Sequence, residues 1–207
     1  MKTPIKNSQS WQQDIKDILI TEDQIALRVR QLTRQLEMDF AGRDLVIVSL
    51  LSGTVMFLAD LVRHLSLPLR LDFMGVSSYG AGTESGELVF TKQLRLDVRG
   101  RDVLVVDDIL DTGRTMKRVV ALLRAHQPRR IKVCVLLEKK ARRLEKVRAD
   151  YVGFQIPDLF VVGYGLDYAE RYRNLPFVGV LHPEAYQTAA AEPAPPAQPA
   201  RAQKKKT

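Results

Sequence analysis

The run Asp102-Val-Leu-Val-Val106 narrows the choice of fold more than any other stretch of the chain. It is short, apolar and rich in β-branched residues, and it shows none of the alternation of a half-exposed strand. Strands of parallel sheets read this way because helices cover both of their faces. The run stops on Asp107-Asp108-Ile-Leu-Asp111-Thr-Gly-Arg-Thr115, and an amphipathic stretch from about Thr115 to His126 follows, closed by Pro128. Strand, polar turn and helix in that order make one unit of an α/β sheet.

The pattern recurs on either side. Asp44 to Leu51 is a second apolar run, ended by Ser52-Gly53-Thr54 and followed by helical spacing from Val55 to His64. Leu69 to Val76, Ile131 to Leu137, Tyr151 to Phe154 and Leu159 to Gly163 read as further strands. Thr21 is placed to cap a helix whose apolar residues Ile25, Val29, Leu32 and Leu36 fall on one face. Leu88 to Leu96 is expected to form a hairpin with its neighbours, and the glycine-rich, aperiodic Ser77 to Glu87 to be a mobile loop. The whole predicts an α/β fold with a mainly parallel sheet flanked by helices. Ligands of such sheets sit at the carboxyl ends of strands, so residues just after Leu51, Val106, Leu137 and Phe160 are expected to converge.

With 207 residues, 45% of them hydrophobic, the chain can bury one ordinary core. The expected organisation is a flexible N-terminus over 1–13, one domain over 14–186, and a disordered Pro/Ala-rich basic tail over 187–207. In that tail Arg201, Lys204, Lys205 and Lys206 stand against Glu192 with nothing apolar to bury. No apolar run approaches the roughly 20 residues of a membrane span, and the N-terminus is polar, so a cytoplasmic protein without membrane contact is expected. Cys134, the only cysteine, lies in an apolar run and reads as a small buried hydrophobe. The net charge of +8 suits a polyanionic ligand and suits nucleic acid equally.

Asp107 to Thr115 carries the chemistry. Thr112, Gly113, Arg114 and Thr115 offer backbone N–H groups, two hydroxyls and a close backbone approach at a helix N-terminus, a ready site for a phosphate dianion. Asp107 and Asp108 would repel that phosphate unless they face ribose hydroxyls or a magnesium ion. An Asx turn capping a helix would account for Asp-Thr-Gly alone, but not for the whole run with its strand and helix.

This run resembles the phosphoribosyl-pyrophosphate signature of the type I phosphoribosyltransferases. Tyr151 to Gly179 (YVGFQIPDLFVVGYGLDYAERYRNLPFVG) is similar to the base- and pyrophosphate-binding region of bacterial hypoxanthine phosphoribosyltransferases. The resemblance covers most of Asp14 to Tyr186. It implies the type I fold with a small hood formed by N- and C-terminal segments, and purine salvage as the activity. The implied partners are hypoxanthine, guanine and phosphoribosyl pyrophosphate as substrates, and IMP, GMP and pyrophosphate as products.

The resemblance also implies roles. Phe160 stacks on the purine, Val161 adds backbone contacts, Lys139 donates to the 6-oxo group and Arg173 holds pyrophosphate. Asp107, Asp108 and Asp167 lie near Mg2+, and Ser78-Tyr79 belong to a closing loop. Asp111 matches the proposed general base toward purine N7; an aspartate is by nature too acidic for that, so burial or its acidic neighbours must help. The residue types suit these roles, since an Arg fork bonds two oxygens of a diphosphate at once and an aromatic face suits a flat purine. Taken singly, Phe160 would be core, and Lys139 and Arg173 would be solvated charges. One departure is that Ser52-Gly53 follows the first strand where the family often has Lys-Gly, which removes a charge from the pyrophosphate loop. A homodimer or homotetramer is implied, with nucleic acid not a partner. The competing reading is a nucleotide-sensing regulator of the same fold that binds nucleic acid, favoured by the charge and opposed by the intact base-binding stretch.

Overall fold

The structure, a computed structural model, describes residues 11–78 and 88–187. Its strands are β1 (Ile15–Ile20), β2 (Leu45–Leu51), β3 (Leu69–Ser78), β4 (Leu88–Lys92), β5 (Asp102–Leu110), β6 (Arg130–Glu138), β7 (Tyr151–Gln155), β8 (Val161–Val162) and β9 (Val178–Leu181). Its α-helices are α1 (Glu22–Phe40), α2 (Val55–His64), α3 (Arg114–Ala125) and α4 (Pro183–Gln187). The main sheet has the order β4-β3-β2-β5-β6-β7, parallel throughout except for β4, which runs antiparallel to β3 at the edge.

The buried faces of β2 and β5 explain their sequences. Leu45 to Leu50 and Asp102 to Val106 are buried, so side chains on both faces meet apolar neighbours and alternation is absent. One cluster joins Leu45, Ile47, Leu104 and Val106 with the α1 residues Ile25, Val29, Leu32 and Leu36. The other joins Val46, Val48, Val103 and Val105 with the α3 residues Met116, Val119 and Leu123. Each such apolar side chain contributes about 1.5–3 kcal/mol by leaving water. Thr21 starts α1 with a reciprocal capping box: its hydroxyl accepts from the Gln24 amide, and the Gln24 side chain accepts from the Thr21 amide at 2.8 Å. Cys134 is fully buried in β6, and burial pushes its thiol up to about 12, the inert state expected for it.

Several elements depart from the sequence expectation. Ile15–Ile20, which the sequence pattern leaves unassigned before α1, is a strand. It pairs antiparallel with β9, and β9 with β8, in a separate three-stranded sheet. This is the hood, made from both ends of the described fold, with Val162, Leu175, Phe177 and Leu181 forming its own small core. Leu159 to Gly163 therefore does not extend the parallel sheet. Only Val161 and Val162 are strand, and Phe160 sits at the base of the hood, its carbonyl accepting from the Leu181 amide at 3.2 Å. Trp11–Gln13, expected within the flexible terminus, form a 3-10 turn, with the Trp11 ring 5.5 Å from that of Phe177. The expected mobile loop over Ser77 to Glu87 lies almost wholly outside the described residues, as do the first ten residues and those from 188 onward.

Candidate active site

From β2 the chain crosses through α2 to β3 on one side, while β5 lies on the other, so the strand order reverses between β2 and β5. A crevice must open outside the carboxyl ends of strands at such a point. A cavity of about 320 Å³ lies there, lined by Leu50 and Leu51 of β2, Val76 of β3, the run Asp107 to Gly113, and Thr115 and Met116.

β5 is longer than its apolar run suggests. Asp107, Ile109 and Leu110 continue the ladder with Val135, Leu137 and Glu138 of β6, so Asp107 and Asp108 belong to the strand itself. The Asp108 amide donates to Asp107 Oδ1 at 3.0 Å, and the Ile109 amide to Asp108 Oδ1 at 2.7 Å. Thr54 Oγ1 reaches Asp107 Oδ1 at 3.4 Å. Burial, and then repulsion from Asp108, hold the Asp107 carboxyl well above the usual carboxylate range. Burial raises Asp108 too, opposed by hydrogen bonds and by the charge of Arg173.

Asp111 follows, half-buried. Its Oδ1 is buried with no hydrogen-bond partner among the described residues, while Oδ2 lies 3.5 Å from Nη1 of Arg142. Gly113, at φ 86°, turns the chain into α3 in a left-handed conformation that a side chain would strain. The same position faces Arg143 and Glu145 so closely that a Cβ would stand 3.2 Å from Arg143 Cδ. Thr112, Gly113 and Thr115 line the crevice at the start of the helix, and Arg114 is exposed beside them.

Across the crevice, Ser52 is exposed after β2, joined to Leu51 by a cis peptide. Gly53 packs against Asp108 on one side, and its carbonyl lies where a Cβ on Gly165 would come within 2.0 Å. Gly165 in turn accepts from Nη1 of Arg173 at 2.9 Å, and Nη2 of Arg173 pairs with Asp167 at 2.9 Å. The turn after β2, the acidic pair and the Arg173 segment are thus one connected surface. Among the described residues no three of His, Cys, Asp and Glu lie close enough to hold a metal ion alone, so Asp167 does not join Asp107 and Asp108 in one set.

Lys139 is buried just past β6, its amide donating to the Leu110 carbonyl at 3.0 Å and its Nζ 3.6 Å from Asp158. Phe160 is 42% exposed, an open aromatic face with Tyr168 edge-on at 5.5 Å, and Val161 is buried behind it. Ser78 ends β3 opposite Leu88, and Tyr79 lies outside the described residues. Sequence reasoning passed over Arg143, which donates to the carbonyls of Asp111, Leu110 and Val147 and pairs with Glu138. Only its place in a polar run between two strands hinted at it.

Fold and site together define an α/β protein whose candidate site, a cavity beside a helix N-terminus suited to an anion, opens at the switch point of the sheet. Residues 17–169 match the model of the phosphoribosyl transferase domain, and the chain belongs to that family. It is 47% identical over 183 residues to the bifunctional protein TilS/HprT of Listeria monocytogenes, covering 88% of this chain and 28% of that protein's length. It is 45% identical to the hypoxanthine-guanine phosphoribosyltransferase of Bacillus subtilis, covering 84% of this chain and 98% of the relative. The crystal structure of a hypoxanthine phosphoribosyltransferase from Staphylococcus aureus superposes with a TM-score of 0.82 at 44% identity, over 87% of this chain and 99% of that one. Among the described residues no helix is long and apolar enough to cross a membrane.

Proposed function

We propose that this chain is a purine salvage enzyme: it transfers the 5-phosphoribosyl group of phosphoribosyl pyrophosphate to hypoxanthine, and to guanine, releasing pyrophosphate and forming IMP or GMP. The observation that carries the reading is the buried, unpartnered Oδ1 of Asp111 at the start of a phosphate-binding turn, one strand away from a buried lysine. The names of its relatives support the same activity.

The 5-phosphate is held by the amides and hydroxyls of Thr112, Gly113, Arg114 and Thr115 at the N-terminus of α3. Ribose hydroxyls face Asp107 and Asp108. The base lies on Phe160, with Val161 at its edge, and Lys139 donates to the 6-oxo oxygen. Adenine, presenting a 6-amino donor there, is disfavoured, because a buried donor left unpaired costs about 1–3 kcal/mol. Asp111 Oδ1 accepts the N7 proton as N9 attacks the anomeric carbon and the bond to pyrophosphate breaks. Arg173 binds the leaving pyrophosphate, and Ser52 and Gly53 offer it a hydroxyl and amides.

Two adjacent carboxylates that ionise only against burial and mutual repulsion call for a cation, and Mg2+ suits them because it takes one or two carboxylates and completes its shell with phosphate oxygens and water. Asp107 and Asp108 would hold it, with Asp167 near the pyrophosphate side. The chemistry it would supply there is neutralisation of charge on the leaving group. A homodimer or homotetramer is the proposed assembly, on family membership alone. The regulator reading has no support in the relatives.

The test is nucleotide formation from hypoxanthine, guanine, xanthine and adenine with phosphoribosyl pyrophosphate and Mg2+. Turnover of 6-oxopurines that stops on chelation is the expected result. No turnover with any base, despite tight nucleotide binding, would return the weight to a regulator.

A further inference from the structure

A 6-oxopurine presents O6 and N7 side by side on one edge, so a site that reads both needs a donor and an acceptor set next to each other. The protein supplies them from neighbouring strands: Leu110 pairs with Glu138, so Asp111 and Lys139 leave β5 and β6 at the same level. Two further residues connect their side chains. Arg142 Nη1 lies 3.5 Å from Asp111 Oδ2 and 3.7 Å from Asp158 Oδ1, and Asp158 Oδ1 lies 3.6 Å from Lys139 Nζ. Four charges of alternating sign therefore run Asp111, Arg142, Asp158, Lys139 along the purine end of the site.

Arg142 and Asp158 are about half exposed, at 49% and 51%, and exposed ion pairs add little to stability. Their effect is geometric. With Arg142 beside Oδ2, the Asp111 carboxylate is oriented so that Oδ1 stays inward and unpartnered. Arg142 ends the 3-10 turn Lys140–Arg142, and the next residue, Arg143, ties that turn to the Leu110 and Asp111 carbonyls at 3.2 and 3.0 Å. The turn is thereby fixed to the same strand end that carries Asp111.

We propose that Arg142 is a positioning residue for purine recognition, which together with Asp158 holds the acceptor Oδ1 of Asp111 and the Lys139 ammonium at the separation of N7 and the 6-oxo oxygen. The inference rests on the 6-oxopurine reading above. It assigns a role in base binding to the short turn after β6.

The experiment is steady-state kinetics of the full chain, wild type against Arg142→Ala, Arg142→Lys and Asp158→Asn, with hypoxanthine and phosphoribosyl pyrophosphate varied in turn. Loosening a positioned pair of groups predicts a hypoxanthine KM about tenfold higher in Arg142→Ala, a phosphoribosyl pyrophosphate KM within about twofold of wild type, and recovery of most of the loss in Arg142→Lys. If Arg142→Ala does not fold, Asp158→Asn reports the same split between the two substrates. An unchanged hypoxanthine KM, or a rise of both KM values together, overturns the role of Arg142 while leaving the enzyme reading intact. Wild type inactive on every 6-oxopurine removes both.

Discussion

Asp108 Oδ2 occupies the space where a side chain on Gly53 would begin: a Cβ there would stand 1.8 Å from it. Glycine at this position lets the turn after β2 lie directly against the Asp108 carboxylate of β5. Gly53→Ala must push back either the turn or Asp108, and displacement of a reacting geometry by about 1 Å costs on the order of 100-fold in rate. kcat/KM for phosphoribosyl pyrophosphate is expected to fall by that factor, with the fold, followed by circular dichroism, retained.

Asp111 makes few contacts that stabilise the fold through its side chain, since one oxygen has no partner among the described residues and the other faces a half-exposed arginine. Asp111→Asn should leave the melting temperature within a few degrees and lower kcat by about 10²–10⁴-fold, the usual contribution of general base catalysis. A variant that keeps wild-type kcat would remove Asp111 from the proton transfer.

Asp107 tests the opposite balance. Burial raises its pKa, so its contribution to stability is intact below the ordinary carboxylate range and declines as pH rises through the raised value. Above the ordinary carboxylate range, burial and the neighbouring Asp108 work against the ionised form, so the ligand-free protein is less stable there than in acid. Asp107→Asn should therefore melt higher than wild type at pH 7, with the gap closing at pH 4, while its Mg2+-dependent activity is lost. A lower melting temperature at pH 7 would contradict this account.

Asp72 is the reverse case. Burial would raise it, but hydrogen bonds from the amides of Leu96, Arg95 and Phe73 and from Lys92 outweigh burial and hold it below the ordinary range. Its contribution is present above the unfolded-state pKa and is lost as pH falls through the depressed one. Asp72→Ala strands buried amides, and urea unfolding at pH 7 should show a loss of about 2–4 kcal/mol that shrinks toward pH 3.

Much of the main sheet and of the phosphate turn is legible in the order of residues alone. Runs such as Val46 to Leu50 and Val103 to Val106 declare themselves because a strand covered on both faces has no use for alternation, and Ile25, Val29, Leu32 and Leu36 declare one face of α1. The hood is harder. Ile15–Ile20 alternates weakly and takes its strand form from β9, more than 150 residues later, a tertiary decision that local pattern does not carry. In the site, the Asp107 to Thr115 run is self-contained, so its strand, turn and helix can be read directly. Arg142 and Arg143 cannot be separated from solvated charge, because what distinguishes them is the carboxylates and carbonyls that the fold brings to them.

The pairing of β1 with β9 also orders assembly in time. Every strand of the main sheet, and with it the phosphate turn, has left the ribosome by Gln155, whereas β1 waits unpaired until Val178–Leu181 emerge. The main sheet can consolidate on the nascent chain before the hood strand that pairs with β1 exists. A chain halted before Val178 thus keeps every strand of the main sheet and leaves its first strand without a partner.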